Sequence, residues 1–169
     1  MNFKVIGAII TILGCGGMGL RIATAYKKEF KTLEQLRNGM DFMECELRYR
    51  LTPLPELCRG TADATSGAVS AFFRELALAL GQQVSPRVRN CVNTVIAGSD
   101  LPTVAADYLS ELGETLGIFD LEGQLQGIEF IKHRLDQALD HYRKDLGSRI
   151  RSYQTLGLCA GAAIAILLL

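Results

Sequence analysis

A glycine-rich segment near the amino terminus has residue types and spacing that could bind a cofactor. Residues 14–19, Gly-Cys-Gly-Gly-Met-Gly, match GxGxxG. Glycines at this spacing let a pyrophosphate approach the backbone at the start of a helix, provided that they join a strand to that helix in a βαβ unit. Positions 30–50 instead have the period of one amphipathic helix, and no strand-like run follows. The sequence therefore predicts no cofactor, and a dinucleotide-binding enzyme remains only as an alternative.

The histidines and cysteines lack the spacing that metal binding or nucleophilic catalysis requires. His133 and His141 are eight residues apart on one predicted helix, without an HExxH motif or a cysteine cluster. The five cysteines occur singly, and a pair of Cys58 with a histidine has no local signature. No Walker-type phosphate loop occurs. The sequence thus predicts no catalytic and no metal site, and a protein that is not an enzyme.

The overall charge excludes one class of partner. The 169 residues include 18 basic and 18 acidic side chains, so the formal net charge is zero. Proteins that bind nucleic acids need a basic surface to neutralise phosphates. We therefore expect no nucleic-acid partner.

The two ends of the chain are its most hydrophobic parts. Residues 5–20 and residues 152–169 contain no charged side chain. Both runs are shorter than the roughly 20 residues that usually span a bilayer, but local thinning of the bilayer accommodates short helices. We predict transmembrane helices within residues 1–21 and 153–169, on either side of a helical domain at residues 22–152.

Small side chains recur every four residues in both predicted membrane helices. They are Gly7, Thr11, Cys15 and Gly19 in the first, and Gly157, Gly161 and Ala165 in the last. Small residues at this spacing let helices approach closely in lipid. These seven residues are candidates for helix packing in the membrane, either with each other or with partner helices.

The positive charges beside the two hydrophobic segments predict which side of the membrane the middle domain occupies. Arg21, Lys27 and Lys28 follow the first segment, whereas only Lys4 and the terminal amine precede it. Arg149 and Arg151 precede the last segment, and no charged side chain follows it. Basic residues stay on the cytoplasmic side. The asymmetry at both ends places residues 22–152 in the cytoplasm and argues against a cleaved secretory signal.

The middle of the chain has the apolar period, the helix caps and the helix-breaking residues of a helical bundle. From Tyr26 to Leu51 the apolar residues recur at spacings of three and four, which is the helical period. Caps and breakers then predict further helices, with Thr52 as N-cap before Pro53, Gly117 ending a helix, and Asp120 capping the last one. The predicted helices after the first run from Pro53 to about 63, over 68–80, from Ser85-Pro86 to Gly98, from 101 to about 116, and from Asp120 onward. About six helices and no strands predict an all-α fold.

Two segments of the middle domain resemble a known family. Residues 47–56, LRYRLTPLPE, and residues 112–120, LGETLGIFD, with Gln124 following, closely resemble the stage III sporulation protein AB family. The layout of hydrophobic ends around a helical middle is also similar. The resemblance implies a fold similar to the cytoplasmic domain of type II secretion F-type platform proteins, and a place in the channel between mother cell and forespore of endospore-forming bacteria.

The resemblance also implies partners and a location. It places the helical domain in the mother-cell cytoplasm at the outer forespore membrane, where a scaffold would couple a secretion-type ATPase, the AA protein of the same set, to other channel proteins. Thr52, Pro53, Gly117 and Asp120 then become candidate partner-binding residues, although helix ends alone explain them. Glu56, Glu111 and Glu114 have less obvious structural roles. A membrane pore or transporter subunit is the alternative, and the sequence leaves a homo-oligomer open.

Overall fold

The protein is described by a computed structural model. The structure describes the backbone of residues 3–82, 87–117 and 120–168, and the side chains of residues 24–82, 87–117 and 120–144. These residues form six α-helices and no strand. The predicted all-α bundle of about six helices is therefore confirmed.

The six helices agree with the predicted ones to within a few residues. Their bounds are α1 Phe3–Arg50, α2 Leu54–Ala64, α3 Gly67–Gly81, α4 Val88–Ala97, α5 Thr103–Thr115 and α6 Leu121–Leu168. Ser85 and Pro86, the predicted start of α4, lie outside the described residues. The N-cap of α4 is Arg87, and the C-cap of α5 is Leu116, one residue before the predicted Gly117.

The chain divides into two compact units, one of which contains the candidate site. Unit 1 consists of Met1–Lys28 with Asp140–Leu169, and unit 2 is Glu29–Leu139. In unit 1 the rings of Tyr26 and Tyr142 lie 5.7 Å apart between centroids. Within residues 24–82, 87–117 and 120–144, no helical segment is both long enough and apolar enough to cross a membrane. The domain boundaries at 21/22 and 152/153 stay a prediction.

The prediction of membrane helices rests on side chains within residues 1–23 and 145–169, which the structure does not describe. The seven candidates for membrane packing fall there: Gly7, Thr11, Cys15, Gly19, Gly157, Gly161 and Ala165.

Unit 2 has a continuous apolar core to which all six helices contribute. The periodic residues of α1 that predicted a helix, from Leu33 to Leu47, are buried. Phe72 and Phe73 of α3 fill the interior with an edge-to-face ring contact, 5.2 Å between centroids. Ile128 and Leu135 of α6 are buried on the same period. Apolar burial of this kind is the main favourable term in folding.

Several glycines let the helices of unit 2 approach closely. A Cβ on Gly60 of α2 would meet the Phe42 ring at 2.8 Å, and one on Gly113 of α5 would meet Val92 of α4 at 2.9 Å. Close-packed interiors accommodate little extra volume, so these positions fix the spacing between helices.

A ladder of charged side chains joins α1 to α6 within unit 2. Lys132 lies 2.6 Å from both the Asp41 and the Glu44 carboxylates, and the Arg37 Nε donates to Asp136 at 2.9 Å. The hydrogen bond from Lys132 lowers the pKa of Glu44, as do its charge and Arg48, whereas burial acts in the opposite direction. The ladder holds the two longest helices of the chain in register.

A candidate docking site where two helix junctions meet

The two segments that resemble the sporulation family meet around one open pocket, although about 60 residues separate them along the chain. We call it the junction pocket, because it lies where α1 passes into α2 and where α5 passes into α6. Its volume is about 220 Å³. Its lining residues are Leu47, Leu51, Thr52, Leu54, Gly117, Leu121 and Gln124. Four leucines make the walls mainly apolar.

Leu51 combines an unusual backbone conformation with an exposed side chain. It follows the last residue of α1 with φ at 53°, and it is the one non-glycine residue with positive φ among those that the structure describes. Helices often end in this left-handed conformation, but glycine usually adopts it because a Cβ there is strained. The Leu51 side chain is nevertheless 66% exposed. Neither backbone preference nor burial therefore accounts for a leucine at this position.

Gly117, two residues after the end of α5, also has a positive φ, here for ordinary reasons of packing. Its φ is 78°, and a Cβ there would lie 2.7 Å from the Val88 side chain. Both the left-handed backbone and the lack of space require glycine. Gly117 is thus structural, and it lets Val88 close one side of the junction.

Thr52 does not cap α2 as predicted. The N-cap of α2 is Pro53, and no side chain caps this helix. The Thr52 hydroxyl instead donates to the Glu46 carboxylate at 2.8 Å, back along α1. The prediction was wrong because Glu46 competes successfully for the hydroxyl. Pro53 itself suits a helix start, since its fixed φ matches the first turn, and its carbonyl accepts the Leu57 N–H at 2.8 Å.

Asp120 caps the last helix as predicted. Its Oδ1 accepts the Gly123 N–H at 3.0 Å, which satisfies one of the free donors at the start of α6. Ile118 and Phe119, the two residues before it in the LGETLGIFD segment, lie outside the described residues. Leu121 follows Asp120 directly and is 39% exposed at the pocket.

The three predicted glutamates differ in their surroundings. Glu114 forms an exposed ion pair with Arg89 at 3.0 Å, and Glu111 forms one with Arg134 at 2.5 Å. These two therefore have structural partners that the sequence did not reveal. Glu56 is exposed in the first turn of α2, and within the described residues no hydrogen bond or ion pair holds its carboxylate. The position of Glu56 makes it the most available of the three for contact with a partner.

The apolar wall of the pocket was not predicted from the sequence. Leu51, Leu54 and Leu121 were within or beside the recognised segments, but exposed leucines carry no chemical signature. The signal that could have located them is positional, since all three lie at helix ends. Leu51 continues the apolar period of α1, but it lies just beyond the end of the helix and is exposed, not buried as the period predicts.

The thiols and histidines of unit 2 do not form a reactive site in the described part of the chain. Burial raises the pKa of Cys58 to about 12, so the thiol stays protonated and unreactive. His133 is exposed and pairs with the Gln137 side chain at 3.0 Å. No group of three or more potential metal ligands occurs among the described residues.

These features define an all-α helical protein whose candidate site is a docking pocket. The family model described as stage III sporulation protein AB matches residues 4–169. The chain therefore belongs to the stage III sporulation protein AB family and is part of the sporulation machinery.

Two further comparisons agree with this family. The stage III sporulation protein AB of Bacillus subtilis (strain 168) is 23% identical over 169 residues, which are 98% of this chain and 99% of the relative. A solved structure of a stage III sporulation protein AB has a TM-score of 0.60 at 22% identity, over 70% of this chain and 96% of that chain. At this identity the structural likeness confirms the fold.

Proposed function

We propose that the chain is a non-enzymatic, membrane-anchored scaffold of a secretion-like channel between mother cell and forespore. In this role its helical unit couples a cytoplasmic secretion-type ATPase, the AA protein of the same set, to membrane components. The observation that carries the proposal is the junction pocket, where two distant segments meet around exposed leucines. A scaffold needs such a surface, whereas an enzyme would need reactive groups.

The properties of the junction pocket are those of a protein docking site. Leu51 and Leu121 expose apolar surface beside a concave wall, an arrangement that suits the apolar anchor of a partner. The left-handed backbone at Leu51 costs about 1–2 kcal/mol. A role in binding would explain why leucine is kept at this position, whereas folding alone does not explain it. Binding a partner here would bury the leucine that folding leaves exposed.

Membrane anchoring is supported by the two uncharged runs at residues 5–20 and 152–169. Together with the basic residues that flank them, they predict a helical domain on the cytoplasmic side. The resemblance to the family implies that this side is the mother-cell cytoplasm, at the outer forespore membrane. The ATPase would reach the junction pocket from this side. The channel would then obtain its energy from the ATPase and its attachment to the bilayer from this chain.

The coupling role is tested by binding of the AA-type ATPase to the full chain in lipid nanodiscs, with and without ATP. We expect binding that ATP shifts. Leu51→Ala should weaken it about tenfold or more, because a buried leucine contributes about 1.5–3 kcal/mol. Leu78→Ala is the matched control, since Leu78 is an exposed leucine of α3 that does not line the pocket. Equal affinities for wild type and Leu51→Ala would refute docking at the pocket.

The sidedness of the domain is tested by labelling Cys45, which is exposed, whereas Cys58 and Cys91 are buried. An impermeant thiol reagent should leave Cys45 unmodified in intact sporulating cells and modify it after lysis. Cys45→Ser is the control that identifies the labelled site. Labelling of Cys45 without lysis would contradict the cytoplasmic placement.

A further inference from the structure

We infer that the partner segment in the junction pocket presents one large apolar side chain flanked by lysine or arginine residues. The inference rests on the proposed function, because it specifies the chemistry by which the ATPase would bind. Two independent features of the site support it, namely the lining of the pocket and the charges beside it.

The lining of the pocket favours an apolar anchor. Leucines from three helix ends form its walls, and the volume of about 220 Å³ suits a single large side chain. The Thr52 hydroxyl already donates its hydrogen to Glu46 at 2.8 Å, and Gln124 has a partner of its own. A polar or charged group entering the pocket would lose its water without gaining a free hydroxyl donor. The occupant should therefore be an aliphatic or aromatic side chain.

The charges of the flanking segments favour basic neighbours for that anchor. Residues 46–56 and 120–124 together carry four acidic and two basic side chains. Both basic ones are already paired, Arg48 with Glu44 at 2.8 Å and Arg50 with Glu46 at 3.3 Å.

The acidic side chains of these segments are less compensated. Glu56 and Glu122 are exposed and have no ion pair among the described residues, and Asp120 accepts only a backbone hydrogen bond. Arg59, one turn further along α2, forms no ion pair with Glu56 either. The carboxylates beside the pocket are thus without an ion-pair partner among the described residues.

Negative charge at the rim of a site acts mainly on the rate of association and on its dependence on salt. A partner with basic residues would therefore associate faster at low ionic strength, and its apolar anchor would then slow dissociation. A partner with acidic flanking residues would be repelled.

The test measures association and dissociation rates of the purified AA-type ATPase with the full chain in nanodiscs, at about 50 and 300 mM NaCl. The double variant Glu56→Lys with Glu122→Lys should reduce the association rate about tenfold at low salt and less at high salt. Asp63→Lys is the matched control, an exposed acidic residue of the same helix, about 10 Å along its axis from Glu56. It should slow association less than Glu56→Lys alone does, because it reverses the same charge farther from the pocket.

The outcomes separate this inference from the proposed function. If Leu51→Ala weakens binding but charge reversal and salt have no effect, the ATPase docks in the pocket, and the inference that basic residues flank its anchor is wrong. Faster association of the doubly reversed variant would overturn the inference too, because it would indicate an acidic partner segment. If Leu51→Ala and the charge variants all bind as the wild type does, both proposals fail at this site.

Discussion

The two helix junctions that form the pocket use the same backbone conformation with different residues. After α5 the left-handed residue is Gly117, which backbone strain and the closeness of Val88 both require. After α1 it is Leu51, whose side chain is 66% exposed. One junction is explained by folding alone, and the other keeps a strained, exposed leucine. The contrast supports the proposed docking role of Leu51, because folding explains the residue at one junction and not at the other.

The Gly117 junction should show the largest effect on stability. We expect Gly117→Ala to destabilise the protein by about 2–4 kcal/mol, because the new methyl group is strained and overlaps Val88. For a chain of this size the melting temperature should fall by about 5–15 °C. Thermal unfolding of the full chain in detergent micelles measures this fall in melting temperature.

Two further variants make this result specific. Gly81→Ala is the matched control, since a Cβ at Gly81 has open space and φ is not positive there; it should be neutral or slightly stabilising. Val88→Ala in the Gly117→Ala background should recover part of the loss, because it removes the atoms that overlap. A Gly117→Ala protein as stable as the wild type would disprove the packing explanation for this junction.

The next largest effect on stability should come from the charged ladder, which joins α1 to α6. Helix α1 ends at one junction, and α6 begins at the other. Lys132→Met should destabilise the protein by about 1 kcal/mol, since it removes one of two cations from each carboxylate, while Asp41 keeps Arg37 and Glu44 keeps Arg48. Arg89→Met is the control, since its ion pair with Glu114 is exposed on both sides and should contribute little.

The ladder also predicts the direction of a pH effect. The pKa of Glu44 is lower in the folded protein than its ordinary value. The stabilisation is therefore complete above about pH 4.5 and is lost as the pH falls through the folded-state pKa. Thermal unfolding between pH 7 and pH 3 should show a smaller acid-dependent loss in Lys132→Met than in the wild type. An equal loss in both proteins would exclude Glu44 as its source.

The Leu51 junction should respond in the opposite direction from Gly117. Leu51→Gly should stabilise the protein by about 0.5–1 kcal/mol, because glycine adopts the left-handed conformation without strain. Leu51→Ala retains the Cβ and should not stabilise it. Both variants should weaken binding of the ATPase, since both remove the exposed side chain. A Leu51→Gly protein that is more stable and still binds normally would show that the leucine has no docking role.

The sequence predicted those parts of this site that depend on local chemistry. Asp120 caps α6 because an aspartate before a helical run needs only its own backbone, and the apolar period of α1 placed Leu33 to Leu47 in the core. Thr52 was misassigned because Glu46, six residues earlier, accepts its hydroxyl. The meeting of residues 47–54 with residues 117–124 depends on tertiary packing, which no local pattern encodes. The left-handed Leu51 was also beyond prediction, since leucine rarely adopts this conformation.

Substitutions of the two glutamates beside the junctions should have the smallest effects on stability. Their effects on binding of the ATPase distinguish the two junctions. Glu114→Gln should change stability by less than about 0.5 kcal/mol, because its ion pair with Arg89 is exposed on both sides. Glu56→Gln should also cost little stability, through the loss of a charge in the first turn of α2.

The effects of Glu114→Gln and Glu56→Gln on the association rate of the ATPase should differ. Glu56 has no cation in the described residues and should attract a basic segment, whereas Arg89 already neutralises Glu114. A slower association for Glu56→Gln alone would assign the docking role to the Leu51 junction. Equal slowing by both variants would extend the docking surface over the end of α5.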